Sequence, residues 1–492
     1  MQTFQIVLIA LYTGSLVYIT AFALIQLRLL QAYRKYKTQK AVYPALGEGD
    51  HYPVVTIQLP IFNEVYVVDR LIDNICRMDY PRDKLEIQVL DDSTDETVEC
   101  AARKVSFYRE QGIDIVHLHR TDRKGYKAGA LREGTAVCRG EFIAIFDADF
   151  LPNPDFLKTA LPHFSTPKTG VVQTRWEHIN EDYSLLTKLQ AFQLNVHFTV
   201  EQAGRFSSGH FLQFNGTAGI WRKTCIEDAG GWQSDTLTED LDLSYRAQLR
   251  GWKIHYVEDI VCPAELPAEI HGLKSQQFRW MKGGAENSRK LLPIILRAKL
   301  PLATKFHAVM HLLGSSIFLV IFGVALLSVP VLWAMEDLQL KATFLGFCLL
   351  GTLAVMSVFY EANNMMCWKR KQVPYRFLRF LLLFPLFMAL SMGFSLHNSA
   401  AVIDGYLGRK STFVRTPKFN LTGLRHELLS NAYRIRNIST RNLLELLVCI
   451  YFAVAIGFGI YVEYYSFLLF HILLMTGFGL NLFYSVRHLS VK

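Results

Sequence analysis

The chain has 492 residues, a length that allows more than one domain, and 51% of its residues are hydrophobic against 19% charged. Its net charge of +9 does not indicate nucleic-acid binding, because the excess lysine and arginine flank apolar segments, as in membrane proteins with a positive-inside bias. The eight cysteines are scattered without a C-x-x-C pair, which argues against a zinc site or a disulfide framework and favours reduced thiols in a cytosolic compartment.

The N-terminal segment, residues 1–30, predicts a transmembrane anchor. Residues 5–27 are apolar for long enough to span a hydrocarbon core of about 30 Å, and a basic linker follows at 31–52. A basic start and a small-residue cleavage site are missing, which favours an uncleaved anchor over a signal peptide. The basic flank predicts that the following domain is cytosolic, in an inner or plasma membrane protein, or a Golgi protein if the source is eukaryotic.

Residues 53–290 alternate short β-branched runs with longer amphipathic stretches. The runs predict strands at Val54–Leu59, Ile87–Leu90, Ile115–Leu118 and Phe142–Phe146, and the stretches predict helices at Val67–Met78, Glu96–Gln111 and Tyr126–Cys138. This alternation predicts an α/β domain with a mostly parallel, doubly wound sheet. Ligands of such sheets bind beyond the carboxyl ends of the strands, where acidic clusters lie at 91–95 and 147–149.

The candidate site for a phosphate contains acidic residues that could hold a metal, rather than a glycine-rich loop. No G-x-G-x-x-G follows the first strand and no G-x-x-x-x-G-K-[ST] occurs, so phosphates would need a metal and basic side chains. Asp147 and Asp149 form a D-x-D pair that can hold a hard cation and the phosphate that it bridges, although such a tripeptide alone is often a solvated turn.

Two further motifs each have a structural and a chemical interpretation. Thr238, Glu239 and Asp240 open a predicted helix, either as an N-cap with acids favoured by the helix dipole or with a carboxylate placed as a general base. The Q-x-x-R-W sequence at 276–280 is either a helix facing the membrane interface or a clamp in which arginine holds a diphosphate and tryptophan stacks on a sugar.

The C-terminal membrane region, residues 309–487, follows an interfacial linker at 291–308. Its stretches that are long enough for full crossings are 309–335, 343–362, 443–462 and 464–486. The short links between partners hold few basic residues, which predicts two hairpins that begin and end inside. The stretch 377–402 contains proline, histidine and asparagine between basic clusters, the second of which is the loop 403–442. We expect a tilted, interfacial or re-entrant element, or a bent hairpin.

Taken together and in order, these motifs resemble the D, D, D, Q-x-x-R-W signature of processive family-2 glycosyltransferases, which include cellulose, chitin and hyaluronan synthases. The sequence is most similar to the cellulose-synthase-like branch that makes mannan and xyloglucan-type backbones, and to its bacterial relatives. Supporting stretches lie at 124–131, 146–150, 214–219 and 239–242, and residues 413–418 are similar to the gating-loop motif of the family.

The resemblance implies a GT-A type domain in which Asp240 is the general base and Asp149 ligates Mg²⁺ or Mn²⁺. Other residues would bind substrate: Pro60, Asn63, Glu64, Asp91 and Asp92 at the base and ribose, Lys127 and Asp147 at the nucleotide diphosphate, Gly216, Thr217 and Glu239 near the acceptor, Gln276, Arg279 and Trp280 at the diphosphate and acceptor sugar, and Thr416 and Lys418 closing over the nucleotide.

The expected activity is transfer of a hexose from UDP-glucose or GDP-mannose to a growing β-glycan. One base and no enzyme nucleophile imply inversion at the anomeric carbon. The expected partners are the nucleotide sugar, a glycan or lipid acceptor and the bilayer, and protein partners are not indicated. Trp280 and residues 413–418 favour a processive enzyme that secretes its product. No direct catalytic role is expected for the remaining polar candidates His197, His210, His255 and Cys262.

Two other functions stay open. A single-turn glycosyltransferase that modifies a lipid such as ceramide or polyprenyl phosphate would share the domain and use the membrane only to reach its acceptor. A transporter or channel with a regulatory nucleotide domain is a different class, but few buried charges mark a path through the apolar segments. Product length separates the first two, and sugar transfer itself separates both from the third.

Overall fold

The computed structural model describes residues 2–38, 42–338, 346–367, 376–411, 413–421 and 440–488. These residues form one α/β domain and a set of long apolar helices that pack against it. The predicted basic cluster at 369–371 lies outside the described residues, as do residue 412 and residues 422–439 of the loop 403–442.

A seven-stranded sheet forms the centre of the α/β domain. Its strands are β1 (Val55–Ile61), β2 (Leu85–Asp91), β3 (Ile115–His119), β4 (Phe142–Ile145), β5 (Thr169–His178), β6 (Gly219–Arg222) and β7 (Lys253–Ala264). They lie in the order β3-β2-β1-β4-β6-β5-β7, and β6 alone runs antiparallel to its two neighbours. The predicted mostly parallel sheet is therefore confirmed, and the four predicted strands overlap β1 to β4.

Helices cover both faces of this sheet, because successive strand residues point to opposite sides. Phe142 and Ala144 of β4 pack into one buried cluster, and Ile143 and Ile145 pack into the other. The helices of the domain are α2 (Val68–Ile75), α3 (Thr97–Glu110), α4 (Tyr126–Val137), α5 (Phe156–Ala160), α6 (Leu185–Val196), α7 (Ala203–Ser207), α8 (Lys223–Asp228), α9 (Glu239–Leu249) and α10 (Ile270–Arg297). Between α6 and α7, residues His197–Gln202 wind as a π-helix.

Among the described residues, four helices are long and apolar enough to cross a membrane: Gln2–Lys37, Leu302–Asp337, Thr440–Tyr461 and Tyr465–Arg487. They contain α1 (Gln2–Lys37), α11 (Leu302–Leu312), α12 (Ile317–Asp337), α16 (Thr440–Tyr461) and α17 (Leu468–Arg487). They confirm the predicted stretches 5–27, 309–335, 443–462 and 464–486. Helix α13 (Gly346–Cys367) covers most of the predicted stretch 343–362, whose first residues lie outside the described part.

Helices α14 (Arg376–Gly393) and α15 (Ser395–Tyr406) form the expected bent element. The two helices meet at Phe394 with a bend of 45°. Helix α15 packs against α10 and α12, and the buried His397 Nε2 donates to the carbonyl of Lys274 at 2.8 Å. The polar side chain of His397 therefore has its hydrogen-bond partner within the protein and is not exposed to lipid.

The C-terminal half of α1 packs on the α/β domain. Leu29, Leu30 and Tyr33 are each only 1% exposed, and the Tyr33 hydroxyl donates to Glu258 at 2.6 Å. The helix also lies against the backbone of α7, where a Cβ on Gly204 would be 2.6 Å from the Leu29 carbonyl oxygen. A side chain at position 204 would therefore push the first membrane helix away from the domain.

Candidate active site

Strand ends and the loop before β6 bring four predicted site residues together. Lys127, in the first turn of α4, donates to the Asp147 carboxylate and to the Gly216 carbonyl, the latter at 2.9 Å. The backbone N–H of Asp147 donates to Thr217 Oγ1 at 2.9 Å. Burial alone would lower the pKa of Lys127, but the nearby carboxylates, with that of Asp147 first, raise it. Lys127 is therefore held as a cation.

Asp240 lies at the start of α9, directly against this loop. Gly216 has a φ of +78°, and a Cβ there would lie 3.0 Å from Asp240 Oδ2 and 3.6 Å from Lys127 Nζ. Glycine is therefore needed at position 216 for both the backbone conformation and the close approach. Burial, followed by repulsion from the Glu239 carboxylate, raises the pKa of Asp240 to about 7. A carboxylate with such a pKa suits a general base at neutral pH.

The start of α9 is held by α10 rather than by the predicted cap. Thr238 occupies the N-cap position but makes no side-chain cap hydrogen bond, and its Oγ1 instead accepts from Asn287 Nδ2 of α10 at 2.9 Å. Asp242, which is fully buried, accepts from Arg246 and pairs with Lys290 of α10 at 2.8 Å. Thr238 is therefore the N-cap residue by position, followed by acids as expected, but its side chain bonds to α10 and does not cap α9, so contacts between the two helices position Asp240.

Asp149 lies near two other acidic residues, Glu64 and Glu265, at the same edge of the sheet. Its carboxylate is almost fully buried and accepts from Lys418 Nζ at 2.6 Å and from the Glu265 N–H at 3.3 Å. Burial raises the pKa of Glu64 to about 7, the Asp149 charge adds to this, and Arg415 and Lys418 oppose it. The Lys418 ammonium therefore contacts the Asp149 carboxylate directly and is also attracted by the charges of Glu64 and Glu265.

Residues 413–421 lie across the cleft and contact it along their length. Arg415 pairs with Glu64 at 2.8 Å, and Thr416 Oγ1 accepts from Arg279 Nη2 at 2.9 Å. The Phe413 ring stacks on Tyr126 with the ring centroids 5.8 Å apart. The backbone N–H groups of residues 419 and 421 donate to the Glu265 carboxylate at 2.8 and 3.2 Å. The segment thus places both Thr416 and Lys418 in the cleft.

Helix α10 brings Arg279 to the acidic groups. Burial lowers the pKa of Arg279 to about 10, against the opposing charges of Asp147, Glu239 and Glu64. Gln276 and Trp280 lie on the same helix, three residues before and one residue after Arg279, and both are partly exposed. Arg279 therefore lies in the cleft together with Asp147, which follows β4, and Glu239, which begins α9.

The predicted nucleoside-binding residues line the ends of β1 and β2. Asn63 has a φ of +54° and its Oδ1 accepts from the Thr94 N–H at 2.8 Å, while Pro60 pairs with Leu90 in the sheet. Asp91 is fully buried against His117 Nε2 at 2.8 Å, and Asp92 accepts from Arg120 Nε and Nη2, both at 2.7 Å.

These two acids are therefore bound to protein groups in this structure. Burial alone would raise the pKa of Asp91, but the hydrogen bonds from His117 and Ser93 lower it, so that its charge is retained. The predicted contacts of Asp91 and Asp92 with base and ribose stay predictions.

Sequence reasoning missed Glu265 and Arg415, which contact predicted site residues, and Asp242, which ties α9 to Lys290 of α10. Glu265 follows β7, a strand that the sequence pattern does not predict. Asp242 lies in the acidic start of α9, but its importance depends on Lys290, 48 positions along the chain. For Arg415, the one available signal in the sequence was its position inside the 413–418 motif.

The site fits a metal that is shared with a phosphate. Among the described residues, no group of three or more His, Cys, Asp or Glu side chains could hold a metal ion by itself. Asp149 is a buried carboxylate whose countercharge is the Lys418 ammonium, so the position already accommodates a cation. Mg²⁺ and similar ions are commonly bound by one or two carboxylates plus substrate phosphates and water. Asp149 fits that pattern.

The α/β domain is similar in sequence to known glycosyltransferases. Residues 53–283 match the family model described as Glycosyltransferase like family 2. Glucomannan 4-beta-mannosyltransferase 1 of Oryza sativa subsp. japonica is 43% identical over 272 residues, covering 54% of this chain and 52% of that protein. Glucomannan 4-beta-mannosyltransferase 2 of Arabidopsis thaliana is 45% identical over 256 residues, covering 51% and 48%. The chain thus spans about half the length of the curated relatives it matches.

A solved structure shares the fold. The mannosyltransferase PcManGT from Pyrobaculum calidifontis, in complex with GDP-Man and Mn²⁺, superposes with a TM-score of 0.52 at 20% identity, covering 81% of this chain and all of that chain. Residues 53–283 of this protein therefore have the GT-A fold and match glycosyltransferase family 2, and they are similar to the cellulose-synthase-like glucomannan 4-β-mannosyltransferases.

Proposed function

We propose that this chain is a membrane-bound, metal-dependent, inverting hexosyltransferase that extends a β-glycan from a nucleotide sugar, with GDP-mannose as the preferred donor over UDP-glucose. The observation that carries the proposal is the position of Asp240 beside Gly216, with Lys127 and Arg279 on the same cleft. The mannosyltransferase names of the curated relatives, and the GDP-Man in the fold neighbour, support the choice of donor.

Asp240 acts as the general base in this proposal. Its pKa of about 7 leaves a substantial deprotonated fraction at neutral pH, and the carboxylate accepts the proton of an acceptor hydroxyl. That hydroxyl attacks the anomeric carbon on the face opposite the diphosphate, so an α-linked donor yields a β-linked product. The reaction needs one base and no enzyme nucleophile, unlike a retaining glycosidase with its two carboxylates.

The cations of the cleft bind the leaving diphosphate. Lys127 and Arg279 already lie beside the carboxylates of Asp147 and Glu239, and Arg279 also holds Thr416. As the glycosidic bond breaks, negative charge grows on the diphosphate, and fixed donors in a partly desolvated cleft stabilise it. A Mg²⁺ or Mn²⁺ ion held by Asp149 would supply additional Lewis-acid stabilisation of that charge.

A cavity beside α10 supports a glycan acceptor. It lies between α6, α10, α12, α14 and α15, and amide and aromatic side chains, including Gln193, Gln277, Phe387, Phe394 and Asn398, share its lining with leucines. Asn398 is 1% exposed, and neither of its amide atoms has a hydrogen-bond partner among the described residues. An unsatisfied buried amide is costly unless a ligand or water completes it. Amides and aromatic faces suit sugar hydroxyls and sugar rings better than an acyl chain.

The same cavity supports processive synthesis with secretion. It is bounded by α12 and by the bent pair α14–α15, and Gln277 of α10, two residues before Arg279, also lines it, which supports a path for the glycan between the helices. The basic residues that follow the first span support a cytosolic α/β domain. In this arrangement the donor is consumed on the cytosolic side, and the growing glycan leaves between the helices.

The test uses purified full-length chain in lipid nanodiscs with a donor panel of GDP-mannose, UDP-glucose and UDP-N-acetylglucosamine. We expect GDP release with Mn²⁺ or Mg²⁺, none with EDTA, and a labelled polymer rather than a single glycolipid band. Asp240→Asn should abolish transfer and keep donor binding, since only the base is lost. Transfer that persists in Asp240→Asn, or a wild-type protein that turns over no donor, would overturn the proposal.

A further inference from the structure

A histidine outside the predicted site contacts the acceptor loop. His197 begins the π-helix between α6 and α7, and its Nε2 lies 2.9 Å from Oδ1 of Asn215, the residue before Gly216. Its Nδ1 lies 2.8 Å from Glu201 Oε2. Single π-helical turns within α-helices are rare and recur at functional sites, where they re-aim side chains.

Both ring nitrogens of His197 face acceptors, which determines its protonation state. Gln202 Nε2 donates to the Gln213 carbonyl at 3.1 Å and to Asn215 Oδ1 at 3.0 Å, so the amide oxygen of Asn215 is the acceptor at that position. His197 Nε2 must therefore carry a proton. Burial alone would raise the pKa of Glu201, but His197 lowers it to about 2, so Glu201 is an ionised acceptor and Nδ1 carries a proton too.

Glu201 also contacts α1, the first of the long apolar helices. Its second oxygen, Oε1, accepts from Gln26 Nε2 of α1 at 2.6 Å. An unbroken chain of hydrogen bonds thus leads from α1 through Glu201 and His197 to Asn215. The next residue, Gly216, is the one whose carbonyl holds Lys127 and whose Cα approaches Asp240.

The loop at the end of this chain needs an external restraint. Gly216 and the non-glycine Ala218 both have positive φ, at +78° and +53°. A non-glycine residue in this region is strained and persists only where the surrounding contacts over-determine it. Asn215 supplies such contacts, because its Oδ1 accepts from His197, Gln202 and Gln213, and its N–H donates to Gln173.

We propose that His197, as an imidazolium bridging Glu201 and Asn215, is a positioning residue that holds the 214–218 loop against Asp240 and Lys127 and couples it to α1. This inference rests on the proposed function. His197 touches neither donor nor acceptor, and it acts through the loop. The other charged or titratable groups that face the pair are Arg205 of α7 and His311 of α11.

The test compares four variants of the full chain in nanodiscs, with GDP-mannose as donor and mannopentaose as the added acceptor. His197→Leu removes both N–H donors and should lower kcat by about 100-fold, the scale expected for an ångström-size misplacement of reacting groups. Glu201→Leu should behave in the same way. Glu201→Gln should retain activity, because its amide accepts from Gln26 and donates to Nδ1 of a neutral histidine. His255→Leu, in the same domain but outside this chain of bonds, is the control.

Rescue by the conservative variant separates positioning from mere stability. Glu201→Leu and Glu201→Gln both remove the carboxylate charge, but only Glu201→Gln keeps the hydrogen bonds to Gln26 and His197, so only Glu201→Gln should retain kcat. Full kcat in a folded His197→Leu, or equal losses in Glu201→Gln and Glu201→Leu, would overturn the proposal. If His197→Leu does not fold, the two Glu201 variants decide. Loss of transfer in Asp240→Asn is a separate result that tests the proposed function alone.

Discussion

Lys418 donates a hydrogen bond to the Asp149 carboxylate at 2.6 Å, across 269 positions of the sequence. The Lys418 ammonium therefore lies where a divalent ion bound to Asp149 would have to lie, so the two cations would compete for the same carboxylate. Two unit charges 4 Å apart interact by about 4 kcal/mol at an effective dielectric constant of 20, so this competition is strong enough to measure.

Replacement of Lys418 should strengthen metal binding in the absence of nucleotide. In Lys418→Met, Asp149 loses its internal cation, and we expect the Kd for Mn²⁺ to fall at least about tenfold, or roughly 1.4 kcal/mol. The measurement is the free Mn²⁺ signal in an electron paramagnetic resonance titration. Lys418→Arg, which keeps the charge, is the control and should resemble the wild type. An unchanged Kd in Lys418→Met would contradict the competition.

Activity should depend on the ionisation of Asp240. Because burial and Glu239 raise its pKa to about 7, the base is protonated in acid, and kcat should fall about tenfold per pH unit below that value. Glu239→Gln removes the neighbouring negative charge and should move the acidic midpoint to lower pH. The measurement is the kcat–pH profile of GDP release, with the exposed Glu110→Gln as control. A midpoint that stays in place in Glu239→Gln would argue against this coupling.

The cavity residue Asn398 should affect product length more than donor turnover. Asn398→Leu replaces the unpaired buried amide with an apolar group, so the glycan loses hydrogen bonds in this cavity and is released sooner. We expect shorter chains at a similar initial rate of GDP release, measured by size-exclusion chromatography of labelled product. Ser399→Ala is the control, because the Ser399 hydroxyl already donates to the Phe318 carbonyl at 3.1 Å. Equal chain lengths in both variants would count against a glycan in this cavity.

A buried ion pair fastens α10 to the last membrane helices. Lys274 Nζ donates to both oxygens of Glu445 of α16, at 2.6 and 2.9 Å, and to Ser485 of α17 at 3.0 Å. Removing one partner leaves a buried charge and should cost about 3–5 kcal/mol. Lys274→Met should therefore unfold at markedly lower temperature than the wild type.

Removing both partners should restore much of that loss. The double variant Lys274→Met with Glu445→Leu leaves no unpaired charge, and such apolar replacements are often neutral or stabilising. Thermal unfolding in one detergent, followed by tryptophan fluorescence, compares the three proteins. A double variant that is less stable than Lys274→Met would show that the pair stabilises the fold through its charges.

Local patterns in the sequence predicted much of the fold correctly. Strands β1 to β4 and helices α2 to α4 were visible because each has its own period and its own turn residues. The long apolar helices were visible for the same reason, and polar residues in the stretch 377–402 indicated an irregular element there, although the place of the 45° bend was not predicted. Strands β5, β6 and β7 have no comparable signal, because they pair with one another through contacts far apart in the chain.

The candidate site was predictable only in part. Asp147, Asp149, Asp240 and Arg279 were found because they stand in ordered motifs, and the structure places them on one cleft. Glu265 was not found, since its importance depends on Lys418 and on backbone N–H groups of the 413–421 segment. Such a residue acquires its role from its neighbours in space.

The amino-acid sequence by itself determined which groups are available: the acids at strand ends, the arginine and tryptophan of α10, and the spans that are apolar enough for a membrane. Only the tertiary structure decided which charges face one another. It placed Lys418 on Asp149 and Glu201 on His197, and it brought Gly216 against Asp240. The physical reason is that a side chain's charge state and hydrogen bonds depend on burial and on partners within a few ångströms, and folding alone brings those partners together.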